Sequence, residues 1–170
     1  MKKVTISKKI AEAFNGQLNA ELYSAYLYLS MSACLSLQNL PGFATWMCVQ
    51  TKEELGHAMK FYDHIIERSG RVLLKAIDPP PADWAGPLAV FEHTCKHERK
   101  VTGLINKLVS LAKSEADPAS AEFLQWFVDE QVEEEENVGK VLEMVKKAGS
   151  SAAALQALDR ELAKRGQAGQ

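Results

Sequence analysis

The helix-breaking glycines and prolines of this 170-residue chain are concentrated at a few points, Pro41-Gly42, Gly70, Asp78-Pro79-Pro80-Pro81 through Gly86-Pro87, Asp117-Pro118 and Gly149, while Gly16, Gly56 and Gly103 sit inside helical patterns. The long segments between them repeat their apolar residues at a helical period. This punctuation predicts an all-α chain. The first helix, α1, runs from about Ser7, its N-cap, to about Leu37, and α2 covers about 42–69, with Gly70 as the residue that stops it. α3 opens at Pro87. α4 opens with Asp117 as N-cap and Pro118 in its first turn. A short α5 covers about 151–164. Short connections make α1 antiparallel to α2, and α3 antiparallel to α4. The α2–α3 connection has about 16 residues and can reach about 53 Å when extended. A helix of about 28 residues is about 42 Å long. The connection can therefore cross the whole length of the molecule and set α2 parallel to α3. The expected architecture is one domain over residues 1–170: a four-helix bundle at about 7–148 with one long crossover, and the short fifth helix at its end.

The stripes that face the core are apolar at both ends and polar in the middle. With 3,4 spacing, α1 gives Phe14, Leu18, Glu21, Ala25, Tyr28 and Ser32. α2 gives Phe43, Met47, Gln50, Glu54, His57, Phe61 and Ile65. α3 gives Phe91, Cys95, Glu98, Thr102, Ile105, Val109 and Ala112. α4 gives Leu124, Phe127, Gln131, Glu134, Val138, Val141 and Val145. Mid-helix positions fall at one level of a bundle, so Glu21, Glu54, His57, Glu98, Gln131 and Glu134 should converge. An unpaired buried carboxylate costs several kcal/mol. No lysine or arginine sits on these stripes to neutralise four of them. Two divalent cations would. Glu54-Leu55-Gly56-His57 is an ExxH pattern, which sets two ligands on one helical face. Oxygen-rich ligands with one imidazole suit iron or manganese and disfavour copper or a structural zinc. Without a cation, such a layer should hold some carboxylates protonated and be destabilising. Apolar replacement of Glu98 and Glu134 is therefore expected to stabilise the metal-free protein.

Composition excludes other classes. A net charge of −2 leaves no basic footprint for nucleic acid or an anionic membrane. No apolar run approaches the roughly 20 residues of a membrane span. Cys34, Cys48 and Cys95 are far apart and odd in number, which predicts buried free thiols in a reducing compartment. The basic opening MKKVTISKKI leads into Glu12, Asn15 and Gln17 rather than a purely apolar stretch, so a cytoplasmic location is expected.

The stretches NAELYSAYLYLSM, QTKEELGHAMKFYD, KHE and FLQWFVDEQVEEE resemble the non-haem ferritins of bacteria and archaea, and the likeness spans nearly the whole chain. One long crossover is already the known topology of ferritin-like bundles. The resemblance implies an iron-storage protein that oxidises Fe(II) with oxygen at a di-iron ferroxidase centre and keeps the ferric product as a hydrated oxide. It implies one iron on Glu21, Glu54 and His57, and a second on Glu54, Glu98 and Glu134, with Glu54 bridging. Gln131 would orient oxygen or water beside them. Tyr28 and Trp126 match aromatics near the family's centre, as electron donors or as core packing. Glu53, Glu130 and Glu133 each precede a core position and would share one flank of α2 and α4. Bacterial members carry acidic residues there, which implies a third iron site; the bland alternative is a solvated face. Glu135 and Glu136 are expected in solvent. The resemblance also implies a homo-oligomeric shell of twenty-four subunits.

Departures bear on the variants of this family. A second ExxH on α4 would need histidine where Asn137 stands, which argues against bacterioferritin and against haem. His93 and His97 flank Glu98 but point off its face and are not expected to be ligands. Ala121 and Leu124 are apolar where animal ferritins carry acidic pore residues; Asp117 and Glu122 are weak substitutes. The rival readings are a bacterioferritin-like or other di-iron oxidase, and a helical scaffold with no metal chemistry.

Overall fold

The computed structural model describes residues 5–167, and residues 1–4 and 168–170 lie outside it. The first residues of the basic opening are among the latter. Helices occupy Lys8–Leu37 (α1), Pro41–Glu67 (α2), Pro87–Ser114 (α3), Pro118–Ala148 (α4) and Ala152–Ala163 (α5), followed by a single 3-10 turn at Lys164–Gln167. No strand occurs among the described residues. Ser7, Asp117 and Ser151 cap α1, α4 and α5, each accepting from a backbone N–H three residues on.

The helices stop in a way that the glycine pattern misplaced at α2. That helix ends at Glu67, and Ser69 takes the left-handed conformation at φ 54°. Ser69 N donates to Ile66 O and Gly70 N to Ile65 O, the paired bonds of a Schellman motif. Gly70 is needed for space instead. A Cβ there would stand 2.8 Å from Ile6 Cγ2 and 2.9 Å from Ile65 Cγ2.

The crossover, residues 68–86, runs along α1. Asn15 donates to Arg71 O at 3.0 Å and accepts from Leu73 N at 2.7 Å. Ser30 donates to Pro81 O at 2.6 Å, and Gln38 to Trp84 O at 2.8 Å. From Asn15 to Gln38 is about 35 Å of helix, so the crossover traverses the bundle and sets α2 parallel to α3. These side chains satisfy backbone groups that an extended segment leaves open.

The apolar core is divided in two. One cluster gathers Leu27, Met31, Leu35, Phe43, Met47, Phe91, Val138 and Val145. The other gathers Ile10, Phe14, Leu18, Phe61, Ile65, Ile105, Leu124 and Phe127. The mid-helix polar residues lie between them. The α3 stripe is rotated from its expected register. Thr94, His97, Val101 and Leu108 are buried, whereas Cys95, Thr102 and Val109 are only half-buried. α3 packs against α1 as well as α4, through Ser24–His97 at 2.8 Å and Thr94–Met31 at 3.4 Å, so its buried arc widens toward α1. The three cysteines are unpaired, but only Cys34 is fully buried.

α5 closes one end of the bundle. The N-terminus of α2 has no cap of its own, and Asp159 Oδ1 supplies one by accepting from Phe43 N at 2.9 Å. Gly42 allows this approach, because a Cβ there would fall 1.7 Å from Asp159 O. Among the described residues no helix is long and apolar enough to cross a membrane.

Candidate metal centre

Six polar side chains fill the layer between the two apolar clusters, and each comes from the middle of its helix. Glu98 is 0 % exposed, Glu21 1 %, Glu54 2 %, Glu134 3 %, Gln131 4 % and His57 5 %. Spacing of i, i+3 sets Glu54 with His57, and Gln131 with Glu134, on single faces of α2 and α4. Among the described residues the geometry yields two groups able to hold a cation. One is Glu21, Glu54 and His57; the other is His57, Glu130 and Glu134; in each, the ligand atoms lie within 4.8 Å of one another. His57 Nδ1 is 3.3 Å from Glu54 Oε2, and its Nε2 is 3.6 Å from Glu130 Oε1. His57 thus stands between the groups.

Glu98 lies in the same layer but outside both groups. Its carboxylate accepts from the Tyr28 hydroxyl and from Gln131 Nε2 at 3.2 Å. The second triad formed by proximity therefore contains Glu130 rather than the pair Glu54 and Glu98. Gln131 also donates to Thr102 Oγ1 at 3.2 Å. Glu134 accepts from Gln50 Nε2 at 2.7 Å, and Glu21 from Gln17 Nε2 at 2.8 Å. Gln17, Gln50 and Thr102 were not singled out from the sequence. Gln50 and Thr102 lie on the core stripes, and Gln17 precedes Glu21 by one helical turn, so the spacing carried a signal for each.

Burial raises all four carboxylates, and their own charges add to it. Glu21 is pushed up to about 8, by burial and then by the charge of Glu54. Glu134 is pushed up to about 7, by burial and then by Glu98. Glu54 stands well above the usual carboxylate range, through burial and the charges of Glu98 and Glu134. Burial also raises Glu98, against the pull of its bonds to Tyr28 and Gln131. Tyr28, wholly buried beside Glu98, is raised well above 10. Glu21 Oε2 and Gln50 Oε1 are buried with no hydrogen-bond partner. Leaving such an acceptor unsatisfied costs about 1–3 kcal/mol. A divalent cation between Glu21, Glu54 and His57 would stabilise the ionised carboxylates and give Glu21 Oε2 a partner. Carboxylate oxygens with one imidazole fit iron or manganese.

The outer acids do not form one group. Glu53 is half-buried and bound to Arg165 Nη2 at 2.6 Å. Glu130 is half-buried beside His57, and Glu133 is exposed. Glu135 departs from its expected place in solvent: it is half-buried and accepts from Thr102 Oγ1 at 2.6 Å. Glu136 is exposed and pairs with Lys140 at 2.8 Å. Trp126 sets its ring edge-on to His57 at 5.5 Å, with the Lys60 ammonium 4.2 Å from its centre. His93 accepts from Trp84 Nε1 at 3.0 Å, and His97 is buried against Ser24; neither is in a cation-holding group. Asp117 is bound to Arg68 at 2.9 Å and caps α4, and Leu124 is buried in the apolar core.

Known proteins resemble this chain over most of its length. The ferritin-like domain family matches residues 11–148. A bacterial non-heme ferritin of Bacteroides fragilis is 44 % identical over 146 residues, covering 86 % of this chain and 92 % of that protein. A bacterial non-heme ferritin of Staphylococcus epidermidis is 34 % identical over 160 residues, covering 94 % of this chain and 96 % of that protein. Among solved structures, an open-pore ferritin from the hyperthermophilic archaeon Archaeoglobus fulgidus superposes with a TM-score of 0.92 at 50 % identity, covering 94 % of this chain and 98 % of that one.

Proposed function

The chain belongs to the ferritin family, among its non-haem members, and on that premise we propose that it is an iron-storage protein with ferroxidase activity. Fe(II) is its substrate, O2 the oxidant, and a hydrated ferric oxide the stored product. The observation that carries this reading is the buried layer of four carboxylates and one histidine between two apolar clusters. Two Fe(II) ions held side by side each supply one electron toward the reduction of oxygen. Glu21, Glu54 and His57 would hold the first ion. Glu54, Glu134 and a Glu98 carboxylate turned away from Tyr28 would hold the second, with Glu130 close enough to His57 to take part.

The chain's residues act mainly through charge and position. Anionic oxygens favour the ferric product, because added positive charge gains more in an anionic site. Tyr28 and Gln131 hold the Glu98 carboxylate in the metal-free layer, and the Tyr28 bond would be given up when Glu98 turns to the second ion. The carboxylates held above their usual range release protons when a cation takes their place. Glu53, Glu130 and Glu133, which stand apart in the metal-free protein, would have to draw together to receive a further ion at a third position.

Self-association fits the surface. Tyr26, Leu29, Leu55, Met59 and Ile66 are 45–51 % exposed on the outer faces of α1 and α2. Tyr26, Leu29 and Leu55 line one apolar groove with Leu22, Ala25 and Ile77, and exposed apolar surface of this kind suits a contact with another protein surface. We assign it to contact between copies, within the shell of twenty-four that the family resemblance implies. Three unpaired thiols suit a reducing, cytoplasmic setting.

Size-exclusion chromatography with iron analysis, after Fe(II) is added in air, tests the function. The expected result is rapid oxidation and a shell-sized peak that carries the iron. Slow oxidation at the rate of buffer alone, with iron precipitating apart from the protein, would overturn it.

A further inference from the structure

We propose that Thr102 and Glu135 are positioning residues for the second metal position, acting through the amide of Gln131. This rests on the two-ion reading given above. Glu135 belongs to neither cation-holding group, yet it is half-buried and accepts the Thr102 hydroxyl at 2.6 Å. Thr102 is one turn beyond Glu98 on α3, and Glu135 is one turn beyond Gln131 on α4. The four side chains form one hydrogen-bonded chain across the α3–α4 seam, from Glu135 through Thr102 and Gln131 to Glu98. Its outer end lies in a groove of about 330 Å³ between these helices, lined also by Ile105 and Val128. Its inner end lies in the buried layer, where Glu98 is wholly enclosed.

The bonds of this chain have a fixed direction. A carboxylate only accepts, and a threonine hydroxyl has a single hydrogen. That hydrogen goes to Glu135, in a bond with the short length of a charge-assisted pair. Thr102 Oγ1 can then only accept from Gln131. Gln131 Nε2 meets it at 3.2 Å, and also meets Glu98 Oε2 at 3.2 Å and Glu98 O at 3.3 Å. All three neighbours are acceptors, so the nitrogen end of the amide faces Glu98 and the oxygen end is turned away. With its hydrogen free, Thr102 could donate to the amide oxygen instead, and the amide could reverse. A reversed amide would set an oxygen against the Glu98 carboxylate. The consequence falls on the second ion. To reach that ion Glu98 gives up the Tyr28 hydroxyl, and Gln131 is the donor that remains. Thr102, held as an acceptor by Glu135, keeps the Gln131 nitrogen in place while Glu98 turns. The first position, at Glu21, Glu54 and His57, does not touch this chain.

Anaerobic calorimetry of Fe(II) binding to the assembled apo protein reads binding apart from oxidation. Wild type should take at least two equivalents per subunit. Thr102→Val keeps the shape and the charge but removes the hydroxyl. It should weaken the second equivalent about tenfold, the lower end of the range for outer partners of metal ligands, and leave the first unchanged. Glu135→Gln should weaken the second equivalent in the same sense. Thr102→Ser, which restores the hydroxyl, should recover the wild-type value. An unchanged second equivalent in Thr102→Val or Glu135→Gln overturns the proposal. Equal weakening of both equivalents, or a Thr102→Ser variant no better than Thr102→Val, also overturns it, because either would mark a merely structural role. Fewer than two equivalents in wild type overturns the two-ion reading itself, and the proposal with it.

Discussion

Glu54→Ala is expected to abolish the fast phase of Fe(II) oxidation while the subunit still folds and assembles. Glu54 lies between Glu21 and His57 in one cation-holding group, and feels the charges of Glu98 and Glu134 from the other side. In the proposed centre it is the ligand that both metal positions would share. Loss of an outer partner of a metal ligand commonly costs about 10–100-fold, so loss of a shared ligand should cost at least about 100-fold in rate. The fold should survive, because the substitution removes a buried acid that is costly to ionise. His57→Ala should act in the same direction, since its two nitrogens face both groups. Stopped-flow absorbance after mixing with Fe(II) in air measures the effect. A wild-type fast phase in Glu54→Ala would remove Glu54 from the centre.

The metal-free protein should lose stability as pH rises through the neutral range. Glu21 titrates at about 8 in the fold, against 4.5 for an ordinary glutamate, and Glu134 at about 7. Both are raised, so between these limits the folded chain holds protons that the unfolded chain has released. Stability then falls with pH. The contribution is fully present below about 4.5, and is lost through about 7 for Glu134 and about 8 for Glu21. Glu21→Gln keeps the shape and the bond from Gln17 but cannot ionise. It should leave apo stability near wild type at pH 5 and raise it at pH 9. The gain for so buried a group is on the order of 4 kcal/mol. Denaturant unfolding of apo protein at the two pH values measures it. A variant no more stable than wild type at pH 9 would mean that Glu21 ionises in the fold without cost. Divalent cations should reverse the trend, because they bind the ionised form and stabilise the fold by mass action.

The same geometry revises one expectation from the sequence. Apolar replacement of Glu98 and Glu134 would remove two buried acids. It would also strand the Tyr28 hydroxyl, one bond of Gln131 and the Gln50 amide, whose acceptors are these carboxylates. Each stranded donor costs about 1–3 kcal/mol, so the simple gain is offset. The sequence could not show this, because it places residues on faces but not their hydrogen bonds.

What was legible followed from period and punctuation. Glu54 and His57 are one turn apart on a stripe that also holds Gln50 and is otherwise Phe43, Met47, Phe61 and Ile65, so their burial could be read directly. Gln131 and Glu134 were legible for the same reason. Loop length alone gave the parallel placing of α2 and α3. The α3 stripe was read a fraction of a turn away from its true arc, because periodicity does not tell how many neighbours a helix has. Ser69 as the left-handed residue escaped notice, since glycine is the usual signal there. Arg165 was invisible: its partner Glu53 is 112 residues away, with no pattern to join them.

Anomalous diffraction from crystals of this protein soaked anaerobically in Fe(II), recorded on both sides of the iron absorption edge, would locate the metals directly. The account predicts two peaks about 3.5–4 Å apart in the buried layer. One should touch Glu21, Glu54 and His57, and the other Glu54 and Glu134, with the Glu98 carboxylate turned toward it. A single peak in the layer, or iron found only at the exposed acids Glu133 and Glu136, would contradict a two-metal centre.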